Sequence, residues 1–253
     1  MSIKFIILGC GSSLGVPRID GFFGNCDPKN KKNYRTRCCA LIKSKNKNVL
    51  IDTSPDLKQQ LIKNKINNID KVFYTHHHAD QTHGINELRF FYLKNRKKID
   101  IYTNNLTKKY LLNSFGYCFK KNREYPPILQ NNSLKKKHSY KDNGKIISLK
   151  SIKVEHGNID SICYVINNKL AYASDVSKIH EKDLKSLNNL KYLVIDCLQY
   201  NYHPSHYCLT DILLLIKNIK PKKTILTNLA SSIDYNQICL LYTSDAADDL
   251  LCV

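Results

Sequence analysis

The most constraining feature of the sequence is the segment THHHADQTHG, residues 75–84, which begins at the last residue of the strand-like run KVFYT. His76, His78 and Asp80 alternate, and alternate residues of an extended segment point to the same side. The two imidazoles can therefore converge on one ion. Imidazole nitrogen and carboxylate oxygen suit zinc, and they also suit manganese or iron. The spacing predicts a metal-binding loop at the end of a strand.

Strand-like runs alternate with helix-like segments along both halves of the chain. In the first half IKFIIL, KVFYT and IDIYT read as strands, and CCALIKS and NVLIDTS read as a hairpin around KNK. The segment PDLKQQLIKN reads as a helix with Ser54 as its cap. The Lys- and Asn-rich residues 105–143 are expected to form a helical excursion with loops.

The second half repeats this alternation of strands and helices. KIISLKSIKVEH, SICYVIN, KLAYASD, LKYLVID and KKTILTNL read as strands, and SHYCLTDILLLIKNIK reads as an amphipathic helix. The whole pattern predicts an α/β sandwich, with two sheets inside and helices outside.

A series of ordered motifs resembles the metallo-β-lactamase-fold hydrolases. THHHADQTHG resembles their His-x-His-x-Asp-His signature, and FIILGCGSSLGVPR resembles the opening of the branch that contains ribonuclease Z and the phosphoribosyl 1,2-cyclic phosphate phosphodiesterase. VLIDTSPDL, VEHG, YASD and ILTN match further family motifs in order. The resemblance covers about residues 3–235, and it implies a four-layer αββα sandwich within a domain of residues 1–237.

The resemblance implies a first metal site made by two loop histidines, a distant histidine and a bridging aspartate. These ligands correspond to His76, His78, His156 and Asp175. It also implies that Asp52 supports the metal loop.

The second metal site of the family departs from the pattern in this chain. Asp80 and Asp175 are present, but Gln81 and Asn228 stand where the family has histidines. An amide oxygen is a neutral, hard donor that is poorer for zinc than imidazole. We expect one firmly bound Zn²⁺ or Mn²⁺, with the second position empty or holding a harder ion. His83 is an alternative ligand for this gap.

Two residues are predicted to act in catalysis. Asp80 is placed to orient the nucleophile or to accept its proton, as well as to bind metal. By resemblance, His206 in the segment HPSH matches the family histidine that acts as general acid or oxyanion clamp. His203 is a weaker candidate, and His77 is interpreted as a spacer.

Arginine is much less frequent than lysine in this chain, so composition does not easily explain four of its arginines. These candidate phosphate ligands are Arg18, Arg35, Arg37 and Arg89. A guanidinium forms bidentate contacts with phosphate better than an ammonium does. Surface salt bridges are the alternative. Arg18, Arg37 and Arg89 are the predicted substrate-binding residues. The turn GCGSSLG is either a phosphate cradle or a tight strand exit.

The formal net charge of +19 is compatible with an anionic partner, either a small phosphorylated substrate or a nucleic acid. Dispersed lysines in a chain rich in Lys, Asn and Ile offer a compositional explanation. No Cys-x-x-Cys pair, signal peptide or run of ~18 apolar residues is evident, so we expect a reduced, cytoplasmic protein without a membrane span. Homodimerisation is compatible with the family.

The last residues, 238–253, contain no Lys or Arg and have three Asp residues. The string LLYTSDAADD resembles a translated sequencing adapter. We therefore interpret residues 238–253 as a non-native tail.

The leading functional hypothesis is a metal-dependent phosphodiesterase that opens a small cyclic phosphate ester through a metal-bound hydroxide. One alternative is a tRNA-processing nuclease of the ribonuclease Z type. Another is a catalytically reduced accessory protein that resembles pyrroloquinoline quinone synthesis protein B.

Overall fold

The computed structural model describes residues 3–121, 123, 125–243 and 250–252. The chain divides into two compact units. The first unit comprises residues 1–9, 38–135 and 141–146, and the second comprises residues 10–37, 136–140 and 147–253.

A six-stranded sheet forms the framework of the first unit. Its strands, in spatial order, are β1 (Lys4–Gly9), β2 (Cys39–Lys43), β3 (Asn48–Ile51), β4 (Lys71–Phe73), β5 (Ile99–Thr103) and β6 (Leu129–Ser133). The β1–β2 and β2–β3 pairs are antiparallel, and the remaining pairs are parallel. The predicted hairpin around KNK is confirmed as the β2–β3 pair.

Where the structure describes this part of the chain, four α-helices accompany the sheet: α1 (Leu57–Lys63), α2 (Ala79–Thr82), α3 (Leu88–Asn95) and α4 (Asn105–Ser114). The predicted cap of α1 is wrong by two residues. Asp56 is the N-cap residue, and its backbone N–H donates to Ser54 Oγ at 3.1 Å. Ser54 therefore stabilises the turn before the helix and does not cap the helix itself.

The expectation of a helix with loops over residues 105–143 is incomplete. The helix is present as α4, where Asn104 Oδ1 accepts from the Thr107 backbone N–H at 2.8 Å. Two strands follow it, β6 and β7 (Lys137–Asp142). Their polar sequences, LQNNS and KHSYKD, lack the apolar alternation that marks a strand, so pairing with neighbouring strands decides their conformation.

The core of the first unit consists of apolar side chains from the central strands and from the helices. Leu41, Leu50, Val72 and Ile101 are each 0% exposed. Burial on this scale is the main source of stability for the sheet. The rigid core positions the loop that leaves β4.

The second sheet has seven strands in the order β13–β12–β11–β10–β9–β8–β7. The strands other than β7 are β8 (Lys145–His156), β9 (Ile159–Ile166), β10 (Leu170–Ala173), β11 (Tyr192–Asp196), β12 (Thr224–Thr227) and β13 (Leu250–Cys252). The β8–β9 and β9–β10 pairs are antiparallel, whereas β10 to β13 run parallel. The near-continuous apolar run YLVID suits β11, a parallel strand flanked on both sides.

The described residues of the second unit form three α-helices: α5 (Glu181–Leu184), α6 (Leu209–Ile219) and α7 (Tyr235–Thr243). The predicted amphipathic helix corresponds to α6, which buries Ile212, Leu215 and Ile219. Asp211 Oδ2 accepts from the Cys208 backbone N–H at 3.0 Å at its start. These contacts fix the segment that precedes α6, which carries His203 and His206.

The proposed non-native tail lies only partly within the described residues. Residues 238–243 continue α7, Ile238 is 0% exposed, and β13 pairs in parallel with β12. Residues 244–249 and 253 lie outside the described residues. The assignment of residues 238–253 as non-native remains a prediction.

Candidate metal centre

The first unit carries the histidine loop directly after β4. His76 is buried and His78 is exposed, and each offers a ring nitrogen within 4.8 Å of the other. Their ring centroids lie 4.6 Å apart. The structure therefore brings these two imidazoles together, as their alternation along an extended segment requires.

Asp52 holds the start of the histidine loop. Its two carboxylate oxygens accept from the Thr75 backbone N–H at 2.7 Å and from Thr75 Oγ1 at 2.8 Å. Thr75 Oγ1 lies 3.0 Å from His76 Nδ1. Engagement of Nδ1 leaves Nε2 as the ring nitrogen that a metal would use, and such outer contacts orient metal-binding histidines.

The Asp52 backbone adopts a left-handed conformation, with φ at +65°. Aspartate tolerates this region better than most residues that carry a side chain. The backbone N–H of Asp52 donates to Phe73 O at 2.9 Å. A turn of this shape directs the carboxylate towards the loop.

Asp80 and Gln81 lie in the first turn of α2. Gln81 Nε2 donates to Asp80 Oδ2 at 3.1 Å. Gln81 is fully buried and Asp80 is half-buried. The amide therefore restrains the carboxylate that is predicted to orient the nucleophile.

The other two histidines of the segment face α4. His83 Nε2 lies 2.9 Å from the Tyr110 hydroxyl. The His77 ring centroid lies 5.6 Å from that of Tyr110. The structure thus places His83 against a tyrosine of α4.

A second cluster of ligand-type side chains lies within the second unit. His156 ends β8, Asp175 follows β10, and His206 precedes α6. Each offers one ligand atom, and these atoms all lie within 4.8 Å of one another. His156 and Asp175 are buried, whereas His206 is partly accessible.

The orientation of His156 is set by a backbone carbonyl. Its Nδ1 lies 2.6 Å from Ser205 O, so Nδ1–H donates and Nε2 is the nitrogen left for a metal. Burial lowers the pKa of His156 most strongly and His206 adds to this effect, while Asp175 and Ser205 oppose it. The lowered pKa keeps the ring neutral, which is the form that binds metals.

Gly157 allows the close approach of Ser205 to His156. A Cβ atom at Gly157 would lie 2.8 Å from Ser205 Cβ, and its φ of +58° is left-handed. The glycine of the VEHG motif is therefore required by the packing around His156.

His206 is held by a buried carboxylate that the sequence analysis missed. His206 Nδ1 lies 2.6 Å from Asp196 Oδ2, and Asp196 is 0% exposed. The same oxygen accepts from the Val176 backbone N–H at 3.0 Å. The available signal was a carboxylate at the carboxyl end of a buried parallel strand, LVID, where binding sites of α/β proteins gather.

His203 stands beside His206 and supports the same turn. Its Nδ1 accepts from the Ser205 backbone N–H at 3.3 Å, and its ring centroid lies 5.1 Å from that of His206. Its pKa is lowered by partial burial and by the nearby histidines. His203 therefore forms a hydrogen bond with Ser205 inside the turn that carries His206.

Asn228 follows β12 and is 1% exposed. Its Nδ2 donates to Asp175 Oδ1 at 3.2 Å and lies 3.2 Å from His206 Nδ1. Among the residues that the structure describes, Asn228 Oδ1 has no hydrogen-bond partner. The Asn228 φ of +61° is left-handed, a region enriched in Asn, Asp and His. The backbone therefore accepts either the asparagine present or the histidine of the family pattern.

The predicted phosphate-binding arginines have different surroundings. Arg35 is 3% exposed and donates to the backbone carbonyls of Ala230 and Ile233, so it stabilises the loops of the second unit. Arg18 pairs with Asp20 at 2.6 Å on the surface.

The other two candidate arginines lie in different units. Arg37 is half-buried and forms a β-bridge with Gly11 in the second unit. Arg89, in the first unit, stacks its guanidinium over Tyr125, with 5.3 Å between Cζ and the ring centroid.

Backbone N–H groups of the Gly-rich turn GCGSSLG donate hydrogen bonds to backbone carbonyls of the protein. The backbone N–H of Gly11 donates to Thr36 O, that of Ser12 to Leu229 O, and that of Gly15 to Ser12 O. These three N–H groups donate within the chain, which favours the tight strand exit over the phosphate cradle.

The donor set fits a divalent metal. In the second unit, the oriented imidazole of His156 and the carboxylate of Asp175 offer ligand atoms within 4.8 Å of each other, and zinc and manganese accept both donor types. The Asn228 amide, whose Nδ2 donates to Asp175 Oδ1, adds a buried side-chain oxygen, Oδ1. The two histidines of the first unit supply the same ligand type.

Comparison with known proteins gives the class of this chain. The family described as "Beta-lactamase superfamily domain" matches residues 47–227. The chain therefore belongs to the beta-lactamase superfamily, and its fold is that of the metallo-β-lactamase hydrolases.

Solved structures share this fold over nearly the whole chain. A diphosphatase from the PhnP family superposes with a TM-score of 0.85 at 24% identity, covering 100% of this chain and 95% of that one. Zn²⁺-bound PqqB from Methylobacterium extorquens superposes with a TM-score of 0.73 at 13% identity, covering 98% of this chain and 97% of that one. Human tRNase Z, short form, superposes with a TM-score of 0.65 at 15% identity, covering 89% of this chain and 92% of that one. The predicted fold class, the α/β sandwich of the metallo-β-lactamase fold, is confirmed.

A curated relative carries a different activity in its name. The octanoyltransferase of Porphyromonas gingivalis is 27% identical over 232 residues, which are 90% of this chain and 46% of the relative. The chain thus spans less than half the length of that relative. Within the described ranges, none of the helices is long and apolar enough to cross a membrane.

Proposed function

We propose that this chain is a metal-dependent phosphodiesterase that hydrolyses a small cyclic phosphate ester. The observation that carries the proposal is the cluster of His156, Asp175 and His206, with Asp196 behind His206. An acid–base histidine beside metal ligands is what the hydrolysis of a phosphate diester requires. The fold shared with a PhnP-family diphosphatase supports this choice.

The candidate metal ligands are His76 and His78, with Asp80 as a further carboxylate, in the first unit, and His156 and Asp175 in the second unit. When bound, a zinc-class ion supplies an activated water at neutral pH and polarises the phosphoryl oxygens. The amides of Gln81 and Asn228 favour one firmly held ion over two.

His206 supplies the proton that the leaving group needs. Because Asp196 accepts Nδ1–H at 2.6 Å, it fixes the ring and stabilises the imidazolium form. Nε2–H then protonates the alkoxide oxygen as its bond to phosphorus breaks. Asp80, restrained by Gln81, accepts the proton of the attacking water. The products are a phosphate monoester and a free hydroxyl group.

The test is turnover of small cyclic and linear phosphodiesters by the purified chain with Zn²⁺ or Mn²⁺. We expect hydrolysis of a five-membered cyclic diester, and its loss in His76→Ala and His206→Ala. If wild type shows no turnover above the His76→Ala variant with either metal, the proposal is wrong.

The net charge favours a second candidate, a nuclease. A formal charge of +19 suits a polyanion, and human tRNase Z shares the fold. This function predicts RNA cleavage and an RNA affinity that falls steeply with salt. Cleavage of a precursor tRNA, with no turnover of small diesters, would favour the nuclease.

The curated relative raises a third candidate, an octanoyl thioester as substrate. Water activation and polarisation of an oxygen by a metal ion serve attack on a carbonyl carbon as well as on phosphorus. Because the chain spans only 46% of that relative, the name applies to a longer protein. Release of octanoate from an octanoyl thioester, abolished by His76→Ala, would favour this substrate.

The fourth candidate is an accessory protein without catalysis, comparable to PqqB, whose structure also shares the fold. The amides Gln81 and Asn228 favour it, because they weaken one metal position. An elemental analysis that finds no metal in the purified chain would support it.

A cytoplasmic location and a homodimer are further proposals from the sequence.

A further inference from the structure

A cleft of about 330 Å³ lies in the first unit, outside the proposed metal ligands. Its walls come from α3, from the short helix before it, and from the segment that leads into β6. Five of the lining residues carry the argument: Asn86, Arg89, Tyr117, Tyr125 and Ile128. The volume lies at the small end of the range for ligand sites, which suits one compact molecule.

Two tyrosine rings at this cleft are open to solvent. Tyr117 is 52% exposed and Tyr125 is 61% exposed. The Tyr117 hydroxyl donates to Asn86 Oδ1, which fixes the position of that ring. Ile128, 8% exposed, adds an apolar surface. Oriented aromatic rings beside an apolar wall form a platform for a planar ring.

A positively charged side chain, that of Arg89, lies beside these rings. The Arg89 guanidinium lies over the Tyr125 ring, with 5.3 Å between Cζ and the ring centroid. The surrounding segment, residues 86–128, contains ten Lys and Arg residues and three acidic residues, Glu87, Asp100 and Glu124. The cleft therefore combines stacking surfaces with a field that attracts anions.

We propose that this cleft binds a nucleoside phosphate. The base stacks on Tyr125 or Tyr117, and the phosphate pairs with the guanidinium of Arg89. Stacking accepts any base, because every base has a π face. The ligand is either a free nucleotide or one nucleotide of a single-stranded RNA, since both present the same base and phosphate. This site does not depend on the proposed phosphodiesterase.

The experiment is a titration followed by ¹⁵N NMR and calorimetry. The probes are adenosine 5′-monophosphate, adenosine, inorganic phosphate and a five-nucleotide adenosine RNA. The variants are Tyr125→Leu, Tyr125→Phe and Arg89→Gln. Lys109→Gln, which removes one exposed charge from α4 outside the cleft, is the matched control.

We expect the monophosphate, the RNA or both to shift the resonances of residues 86–93 and 117–128. Tyr125→Leu should weaken binding about tenfold or more, because it removes a stacking ring, and Tyr125→Phe should retain it. Arg89→Gln should weaken the phosphorylated probes but not adenosine. Lys109→Gln should bind RNA and nucleotide nearly as wild type does.

The same titrations distinguish the two sources of the ligand, a free nucleotide and a nucleotide of single-stranded RNA. Binding of RNA without the monophosphate assigns the site to a strand, and binding of the monophosphate at equal affinity assigns it to free nucleotide. The proposal is overturned if no nucleotide probe binds, if inorganic phosphate binds as tightly as the monophosphate, or if Tyr125→Leu and Lys109→Gln behave alike.

Discussion

His206 Nδ1 and Asp196 Oδ2 lie 2.6 Å apart, and Asp196 is wholly buried. The two residues are ten positions apart, at the end of β11 and before α6. A buried carboxylate behind a partly exposed imidazole sets which ring nitrogen faces outward. This arrangement makes His206 suited to proton transfer.

Asp196→Asn should lower kcat about 10- to 100-fold on whichever substrate is turned over, with KM nearly unchanged, because the ring loses its fixed orientation. A double-mutant cycle with His206→Ala checks this relation. The double variant should be no slower than His206→Ala alone. Fully additive losses would contradict the idea that Asp196 acts through His206.

Metal content should respond to the two amides. We expect about one ion per chain in wild type, and about two in the variant that combines Gln81→His with Asn228→His, because imidazole binds zinc better than an amide does. Elemental analysis of protein purified with excess Zn²⁺ measures this. The backbone of Asn228 accepts histidine, since φ is +61°. An unchanged ratio in a folded double variant would count against the amide explanation.

Gly84→Ala should destabilise the first unit severely. A Cβ atom at Gly84 would lie 2.0 Å from Ser54 O, and no rearrangement of a flexible side chain relieves a backbone contact. We expect a loss of about 3 kcal/mol or more in the free energy of unfolding, in the range of severe substitutions. Chemical denaturation measures it.

Gly116→Ala is the matched control for Gly84→Ala, because nothing lies within 4 Å of the added atom. It should change the free energy of unfolding by less than about 1 kcal/mol. Equal stability of the two alanine variants would show that Ser54 moves away from Gly84.

Asp234→Asn should destabilise the second unit in a pH-dependent manner. Burial raises the pKa of Asp234, but hydrogen bonds from Asp27, Asn33, Gln237 and Asn236 outweigh this and hold the pKa below its ordinary value of 3.8. A depressed carboxyl pKa adds stability above the unfolded-state pKa, and that stability is lost as pH falls through the folded-state pKa.

The free energy of unfolding should therefore fall by about 1.5–3 kcal/mol at neutral pH in Asp234→Asn, in the range for hydrogen bonds to a charged group. The difference from wild type should shrink as pH drops below about 4. Asp20→Asn, an exposed residue paired with Arg18, should have little effect. A difference that is constant from pH 7 to pH 3 would contradict the assignment to ionised Asp234.

The sequence by itself determined the strands that carry strong apolar runs and the loop where β4 ends. His76 and His78 alternate on one extended segment, so their convergence follows from local geometry. The helix α6 follows from its apolar periodicity. These features depend on neighbours along the chain.

Only the tertiary structure decided the contacts between distant segments. Asn228 meets Asp175, 53 positions away, because the parallel strands β10 and β12 end at the same edge of the second sheet. Asp196 at the end of β11 contacts His206 in the connection between β11 and α6, and β6 owes its strand conformation to pairing with β5. Strand pairing and burial bring these distant residues into contact, and neither can be predicted from the residues that adjoin them in the sequence. The sequence therefore named the candidate ligands, and packing decided which side chains orient them.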